Sequence, residues 1–577
     1  MWPFFTHVYP RAQDNGSQNY PSIAAYARTP DRDATFHGRM FKLYSAIHSC
    51  VVNDEKNLPS VLANLESKYK LIADPSAKVP TVAFGKTGID MPTLTLGTMR
   101  FQETWNGAKH TDPAKIDADV DSACQANLKA TLLYALERGI NHIETVRGYG
   151  ASEIQLGKAI KEILAEGVYK REDLIIQTKV GAKDTREEFI STLETSFEYM
   201  GVDYFDLFSF HGLNKYKDFD KVFNETDGLY AALEPYLADG RIKHVGFSTH
   251  GPTDLISKLI ASEKFAYVNL HYHWCGSYTA GGHTPTVADA GPGNESCVKM
   301  ARDLNMGVFC ISPLDKGGGV HNASYKFRKM TEDEGLDPVE FSVGWTCGVH
   351  DTQTIGCARP EDLDVSARRT HVEPNEPAIS QQSANNQPTT ASPCPQMCED
   401  SGSHRPLHLQ EVYHAAICFP DTSFKARLAK VQTAVDEALV AVSGEEWCKT
   451  WFSGLPTCFE SETGTNITHY VWFYNLLHAF GLKWYVEQRA GTGVNNRLEW
   501  DKMEGDADER RKDWGFMPGN CPIAGMDYSE ELKNVPAENL ERVKGIIEDF
   551  EGLVKQFDND ECKSVDMRPW KAFPERG

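Results

Sequence analysis

Between Thr81 and Ile355 two hydrophobic patterns alternate along the chain. Short, nearly continuous apolar runs are followed by stretches in which large apolar residues recur every three or four positions. These are the periods of buried strands and of helices with one apolar face. Residues 81–84 and 91–96 flank Gly85-Lys86-Thr87-Gly88, which predicts a hairpin leading into a first buried strand. Leu128, Leu132 and Leu136 share a helix face that ends at Gly139, and a strand follows over 140–145. Leu156, Ile160, Ile163 and Leu164 form the next face, closed near Gly167, before the run Leu174-Ile175-Ile176 that reaches Lys179. Thr185 and Glu188 read as a capping box for a helix carrying Phe189, Leu193, Phe197 and Met200, and residues 204–210 form a strand ending at His211.

The series continues with strands over 242–247, 266–270, 307–311 and 354–355, and with helices near 229–237, 255–262, 295–304 and 338–349. Eight strands counted from Thr93, each but the last followed by a helix, predict an α/β fold, a (β/α)₈ barrel of the TIM type. A doubly wound sheet is disfavoured because no Gly-x-Gly-x-x-Gly follows the first strand.

On either side the pattern changes. Residues 1–78 form an N-terminal extension with helical spacing around 35–51 and 58–72. The expected barrel covers 79–366, and 367–408, rich in Pro, Ser, Asn, Gln and Thr, reads as a disordered linker or insertion. Residues 409–577 are expected to be a mainly helical C-terminal domain. Leu428, Val431, Val435 and Leu439 form one stripe and Leu540, Val543, Ile547 and Phe550 another. The aromatic cluster between them (Tyr470, Trp472, Phe473, Tyr474, Phe480, Trp484, Tyr485) predicts a core packed against the barrel rather than a substrate surface.

Composition narrows the function classes. The 577 residues carry 81 acidic against 59 basic side chains, a net charge of −22, which argues against nucleic acid or an acidic membrane as partner. No apolar run long enough to span a bilayer occurs, and the N-terminus lacks the plan of a signal peptide. A soluble, intracellular, cytoplasmic protein is expected, and its 14 scattered cysteines are then expected to be reduced. His271 and His273 have metal-pair spacing but no evident third ligand, so no metal is expected.

The candidate chemistry lies at predicted strand ends, where barrel enzymes carry it. Glu144 and Tyr149 follow the second strand, Lys179 ends the third and His211 the fourth. Ser152, with Gln155 three residues on, is read as the cap of the following helix. A lysine beside a tyrosine lowers the cost of the phenolate, so Tyr149 could exchange a proton near neutrality. Glu144 could hold the Lys179 ammonium, and His211 could polarise a carbonyl oxygen.

These residues sit within motifs that resemble the aldo-keto reductases. The matching stretches are Phe84-Gly85-Lys86-Thr87-Gly88 with Leu96-Gly97-Thr98-Met99-Arg100, the Glu144-Thr145 to Tyr149-Gly150-x-Ser152-Glu153 signature, and Thr178-Lys179. Further matches are the run from Asp203 to His211, Arg241 to Ser248, Ile311-Ser312-Pro313-Leu314 and Gly356 to Leu363. The resemblance implies an NADPH-dependent oxidoreductase that reduces an aldehyde or ketone to an alcohol, with Tyr149 as general acid and Glu144, Lys179 and His211 completing the catalytic set. It implies cofactor contacts at Gly97, Thr98, Met99, Ser248, Asn269, Ser312, Leu314, Lys316 and Arg359, the last pairing with the adenosine 2′-phosphate. Three positions depart from the family pattern: Glu144 stands for Asp, Asn269 for Gln, and Ile311 for the tyrosine that stacks on the nicotinamide. A subgroup with a C-terminal extension and a ferredoxin-like cysteine run is the nearest in plan, but that run is missing here, so no iron–sulfur cluster is expected. The rival reading is a cofactor-binding regulatory or scaffold protein with a weakly active barrel, whose C-terminal domain serves a protein partner. Residues 105–121, 214–228 and 273–293 are the expected substrate loops, and the glycines of the last suggest a mobile lid.

Overall fold

The computed structural model describes residues 77–99, 122–285, 293–314, 323–357, 360, 415–512 and 519–555. The expected helices of the N-terminal extension, the segment 367–408, and Lys316 and Arg359 lie outside the described residues.

Two short antiparallel strands, β1 (Thr81–Ala83) and β2 (Asp90–Pro92), form the predicted hairpin. They precede β3 (Leu94–Gly97), β4 (His142–Glu144), β5 (Ile175–Gly181), β6 (Phe205–His211), β7 (Ile242–Thr249), β8 (Tyr267–Leu270), β9 (Gly307–Cys310) and β10 (Thr352–Gly356). The last eight strands are all parallel and close into a barrel in chain order, β10 returning to pair with β3. Helices on the outside cover their apolar backs. Leu255, Ile256, Leu259 and Ile260 of the helix Thr253–Ala261, for example, are all buried in the layer against Phe247 and Val268.

The hairpin closes the N-terminal end of the barrel. Phe84 is fully buried, its ring centroid 5.5 Å from that of Tyr267. A side chain at Gly307 would place its Cβ 2.6 Å from the Phe84 ring, so the strand passes over the plug only because residue 307 has none.

Inside the barrel the second layer up is polar. His142 Nδ1 lies 2.7 Å from Thr95 Oγ1, which is 2.8 Å from Thr352 Oγ1, and His142 Nε2 lies 3.0 Å from Gln177 Oε1. The Gln177 amide donates to Ser209 Oγ (3.0 Å) and to Tyr267 Oη (3.3 Å), which are 2.8 Å apart. Partners satisfy one another here, so the layer avoids most of the cost of buried polar groups. Burial pushes the His142 imidazole down to about 3, so it is neutral.

Several local expectations are corrected. Ser152 does not cap its helix: it is the first residue of Ser152–Ala165, and its hydroxyl instead donates to Thr98 Oγ1 at 2.8 Å and lies 3.0 Å from Thr145 Oγ1. Tertiary partners prevail over the local cap. The Thr185 hydroxyl does accept from the Glu188 amide at 3.1 Å, but the Glu188 carboxylate pairs with Lys183 rather than returning to the cap. Residues 214–228, expected as a loop, contain the helix Tyr216–Phe223, and a further helix, Tyr325–Glu332, precedes Pro338–Val349. Both carry apolar residues at helical spacing, Tyr216, Phe219 and Phe223 in one and Phe327 and Met330 in the other, but each is only eight residues long, so the period spans barely two turns.

Beyond residue 414 the described chain is mostly helical, including Thr422–Ser443, Ile467–Phe480, Lys483–Trp500 and Ala537–Lys555. Their apolar faces share one continuous cluster with barrel residues, running from Leu94, Leu128 and Phe341 through Leu428 and Val431 to Trp472 and Phe550. Leu428 lies where a Cβ at Gly344 would be, 2.7 Å away, so the helix Pro338–Val349 and the helix Thr422–Ser443 approach closely. Tyr470, Trp472, Phe473, Phe480 and Tyr485 are buried in this core, as their clustering in the sequence predicts.

Candidate active site

Each strand that ends in a candidate group also carries a member of the polar layer two residues earlier: His142 before Glu144, Gln177 before Lys179, Ser209 before His211, Tyr267 before Asn269. The two-residue period of a strand turns both to the barrel axis, one layer apart. The candidate groups therefore form the uppermost layer, at the C-terminal end of the strands.

Lys179 and Glu144 form an ion pair inside this layer, and they are 1% and 3% exposed. The ammonium also donates to Thr145 O at 3.3 Å. Burial pushes Lys179 well below the usual lysine range, and the carboxylate beside it is what opposes that drift. The extra methylene of Glu144, relative to an aspartate, does not keep the carboxylate from pairing with Lys179. Gly97 is the strand neighbour of Glu144, and a Cβ there would lie 2.4 Å from Thr354 Cγ2 and 3.6 Å from a Glu144 carboxylate oxygen. The absent side chain leaves room for Thr354 on the neighbouring strand, while the carboxylate would be in ordinary contact.

Tyr149 stands on the turn after β4. Its amide donates to Val146 O (2.9 Å) and its carbonyl accepts from the Ser152 amide (3.0 Å), while Arg147 N–H is tied to Lys179 O at 3.0 Å. The Tyr149 ring is half-buried, with Lys179 Nζ 6.0 Å from its centroid. The half-buried His211 ring meets it edge to face at 6.2 Å between centroids and 88° between planes. All four candidate groups are thus brought together.

Support for this turn comes from residues for which no role was expected from the sequence. The Glu153 carboxylate, 1% exposed, pairs with Arg147 and accepts from Thr178 Oγ1 at 2.6 Å. The Arg147 guanidinium in turn lies 4.3 Å from the Tyr199 ring centroid. A buried carboxylate with both a cation and a hydroxyl is well satisfied, and it fastens the turn that carries Tyr149 to β5. The sequence signal was the presence of Glu153 and Thr178 in the matched motifs, beside Tyr149 and Lys179.

The expected cofactor contacts are arranged less uniformly. Ser248 and Asn269 are register partners on β7 and β8. The Ser248 hydroxyl oxygen accepts from Gly212 N–H at 3.1 Å, which leaves its own proton to donate. Asn269 is fully buried, and among the described residues neither atom of its amide has a hydrogen-bond partner. Thr98 is buried with its hydroxyl donating to Glu144 O at 3.0 Å, and Met99 beside it is half-buried. Ser312, just past β9, adopts φ 55°, a conformation uncommon outside glycine, Ile311 is half-buried, and Leu314 is buried.

His271 and His273 are both fully buried, with ring centroids 5.0 Å apart, and His271 packs on Tyr278 at 4.4 Å. Among the described residues no group of three or more His, Cys, Asp or Glu side chains has metal-holding geometry. No described helix is long and apolar enough to cross a membrane.

The sequence profile of the Aldo/keto reductase family matches residues 93–355. The uncharacterized oxidoreductase YtbE of Bacillus subtilis is 29% identical over 190 residues, covering 32% of this chain and 56% of that protein. Protein REDOX 2 of Catharanthus roseus is 31% identical over 144 residues, covering 23% of this chain and 44% of its own. The chain thus spans about half the length of the curated relatives it matches. Among solved structures, an aldo-keto reductase of Bombyx mori in complex with NADP aligns with a TM-score of 0.36 and 17% identity, over 52% of this chain and 89% of that one.

Proposed function

Given that residues 93–355 match the Aldo/keto reductase family, we propose that the protein is an NADP(H)-dependent oxidoreductase that reduces the carbonyl of a small aldehyde or ketone to an alcohol. The observation that carries this reading is the buried Lys179–Glu144 pair set beside the Tyr149 and His211 rings at the open end of the barrel.

The cofactor, when bound, supplies the hydride. The chain's own residues handle the proton. Tyr149 donates its phenolic proton to the carbonyl oxygen, so that negative charge does not accumulate there unassisted. Lys179 favours the phenolate left behind, and the Glu144 carboxylate paired with it favours the charged lysine against the burial that lowers it. His211, edge-on to Tyr149, orients the carbonyl oxygen toward the phenol.

The residues present fit a nicotinamide. A carboxamide needs both a donor and an acceptor, and the buried Asn269 amide offers both with neither engaged among the described residues. The Ser248 hydroxyl beside it can add a second donor. Lys316 and Arg359, which the family resemblance assigns to the adenosine half, are proposed on sequence alone.

The test is Tyr149→Phe. Carbonyl reduction should fall roughly 10²–10⁴-fold, while NADPH still quenches tryptophan fluorescence as in the wild type. A variant with undiminished turnover would refute the role of Tyr149.

A further inference from the structure

The loop after β8 is enclosed. Residues 271–285 are buried apart from the half-buried His283, so the described part of the loop expected as a mobile lid is packed in place. Connections usually run over the surface because their backbone groups need water or other partners. Here the helical region supplies the partners. Asn466 Nδ2 donates to Thr279 O at 2.9 Å, and Trp472 Nε1 donates to Cys275 O at 2.8 Å. The Phe480 ring stands edge-on to Trp274 at 5.3 Å, and His283 Nε2 lies 2.9 Å from Asp436 Oδ1. The Arg489 guanidinium lies 4.0 Å from the Tyr278 ring centroid.

On its inner side the same loop presses on two strand ends. The Tyr278 ring contacts His271 at 4.4 Å and His250 at 5.0 Å, and Thr279 Oγ1 donates to His250 O (3.2 Å) and Gly251 O (2.9 Å). His250 stands two residues beyond Ser248, and His271 two beyond Asn269. Contacts therefore run without a break from the helix Lys483–Trp500, through Tyr278, to the backbone that carries Ser248 and Asn269. The β7–β8 ladder itself ends at Thr249 and Leu270. Past that point the direction of the two strand ends depends on what packs against them.

We propose that the C-terminal helices act as a fixed clamp on the loop after β8, with Asn466, Arg489 and Tyr278 as positioning residues that hold Ser248 and Asn269 for the nicotinamide carboxamide. The clamp makes the helical region part of the cofactor site. This inference rests on the reading of the barrel as a nicotinamide-cofactor site.

Asn466 allows the clamp to be loosened without unfolding its helix. Its Oδ1 caps the helix Ile467–Phe480 by accepting from His469 N at 3.3 Å, while its amide nitrogen makes the bond to Thr279. Asn466→Asp keeps the cap and removes the donor, leaving a carboxylate facing the Thr279 carbonyl. Arg489→Met removes the cation over Tyr278, and Arg489→Lys retains one.

The experiment is a fluorescence titration of the full chain with NADPH, with ligand-free melting temperatures measured in parallel. Asn466→Asp and Arg489→Met should each raise the dissociation constant roughly tenfold, the scale of one lost buried hydrogen bond, and Arg489→Lys should recover part of the loss. Folded Asn466→Asp and Arg489→Met proteins that bind NADPH as the wild type does would overturn the clamp alone. A wild type that binds neither NADPH nor NADH would overturn the cofactor reading beneath it. Should the variants fail to fold, hydrogen exchange on the wild type decides: NADPH should slow exchange in 271–285 and 467–480 together, and protection confined to the barrel strands would refute the proposal.

Discussion

Replacing Glu144 by Gln isolates the electrostatics of the candidate site. In the wild type the Lys179 ammonium is almost wholly enclosed, with the Glu144 carboxylate as its counter-charge and the Thr145 carbonyl as a second acceptor at 3.3 Å. The glutamine side chain would fill nearly the same space but bring no charge. Two limits bound the cost. If the lysine stays charged, breaking a buried pair by removing one partner costs about 3–5 kcal/mol. If it neutralises, the cost at pH 7.5 is about 1.36 kcal/mol for each of the roughly 3 units between that pH and a free lysine near 10.4, or about 4 kcal/mol. Because burial already lowers Lys179 with Glu144 in place, these figures are upper limits, and a loss of at most about 4 kcal/mol is expected at pH 7.5.

The pH dependence identifies the cause. Burial depresses the folded-state pKa of Lys179 already with Glu144 in place, and removing the carboxylate lowers it further, so folded Glu144→Gln binds fewer protons than the folded wild type. Between the folded-state pKa values of the two proteins the stability of Glu144→Gln rises with pH relative to the wild type, by at most about 1.4 kcal/mol per unit, so the deficit shrinks toward pH 9.5. Urea unfolding of both proteins at pH 7.5, 8.5 and 9.5, followed by tryptophan fluorescence, measures this directly. A deficit below about 1 kcal/mol, or one that does not change with pH, would mean that Lys179 does not depend on Glu144 for its charge.

The polar layer and the cofactor wall give further expectations. Burial holds the His142 imidazole down to about 3, so the unfolded chain takes up a proton there as pH falls below 6.5, and stability is lost from that point downward. His142→Gln should remove roughly 3 kcal/mol of the loss between pH 7 and pH 4.5, with His350, lowered to about 3 by the same burial, keeping its share; an unchanged acid midpoint counts against it. Asn269→Leu should raise stability by about 1–2 kcal/mol, because a buried amide without partners gives way to an apolar group of similar size. The same change should abolish saturable NADPH binding; a less stable variant that still binds cofactor would refute both the orphaned amide and its assignment.

How much of this was legible in the sequence varies with the range of the interaction. The alternation of strand and helix periods yielded eight strands and the barrel class, because a strand buried in a barrel and a helix with one face against it must each repeat at its own period. Three of the four candidate groups were legible for the same reason: Glu144, Lys179 and His211 interrupt or end apolar strands, and a polar group in such a place needs a partner. Ser152 was misread because its helix start looks local, while its hydroxyl is claimed by Thr98 and Thr145. The helix Tyr216–Phe223 was missed because it is only eight residues long and charged residues separate its apolar ones, although Tyr216, Phe219 and Phe223 stand at helical spacing.

Local propensity and hydrophobic period thus determined, from the sequence alone, the class of fold, the order of its strands and which polar residues stand at their ends. Only tertiary structure decided that Glu144 and Lys179 share one enclosed space, and that Glu153 and Arg147 fasten the turn carrying Tyr149. It also decided that the glycine-containing loop after β8 is held beneath helices nearly two hundred residues further on. Such contacts join residues far apart in the chain, and they leave no period for a sequence to display. What they leave is a set of side chains, such as Asn466, Trp472 and Arg489, whose partners exist only once the chain has closed on itself.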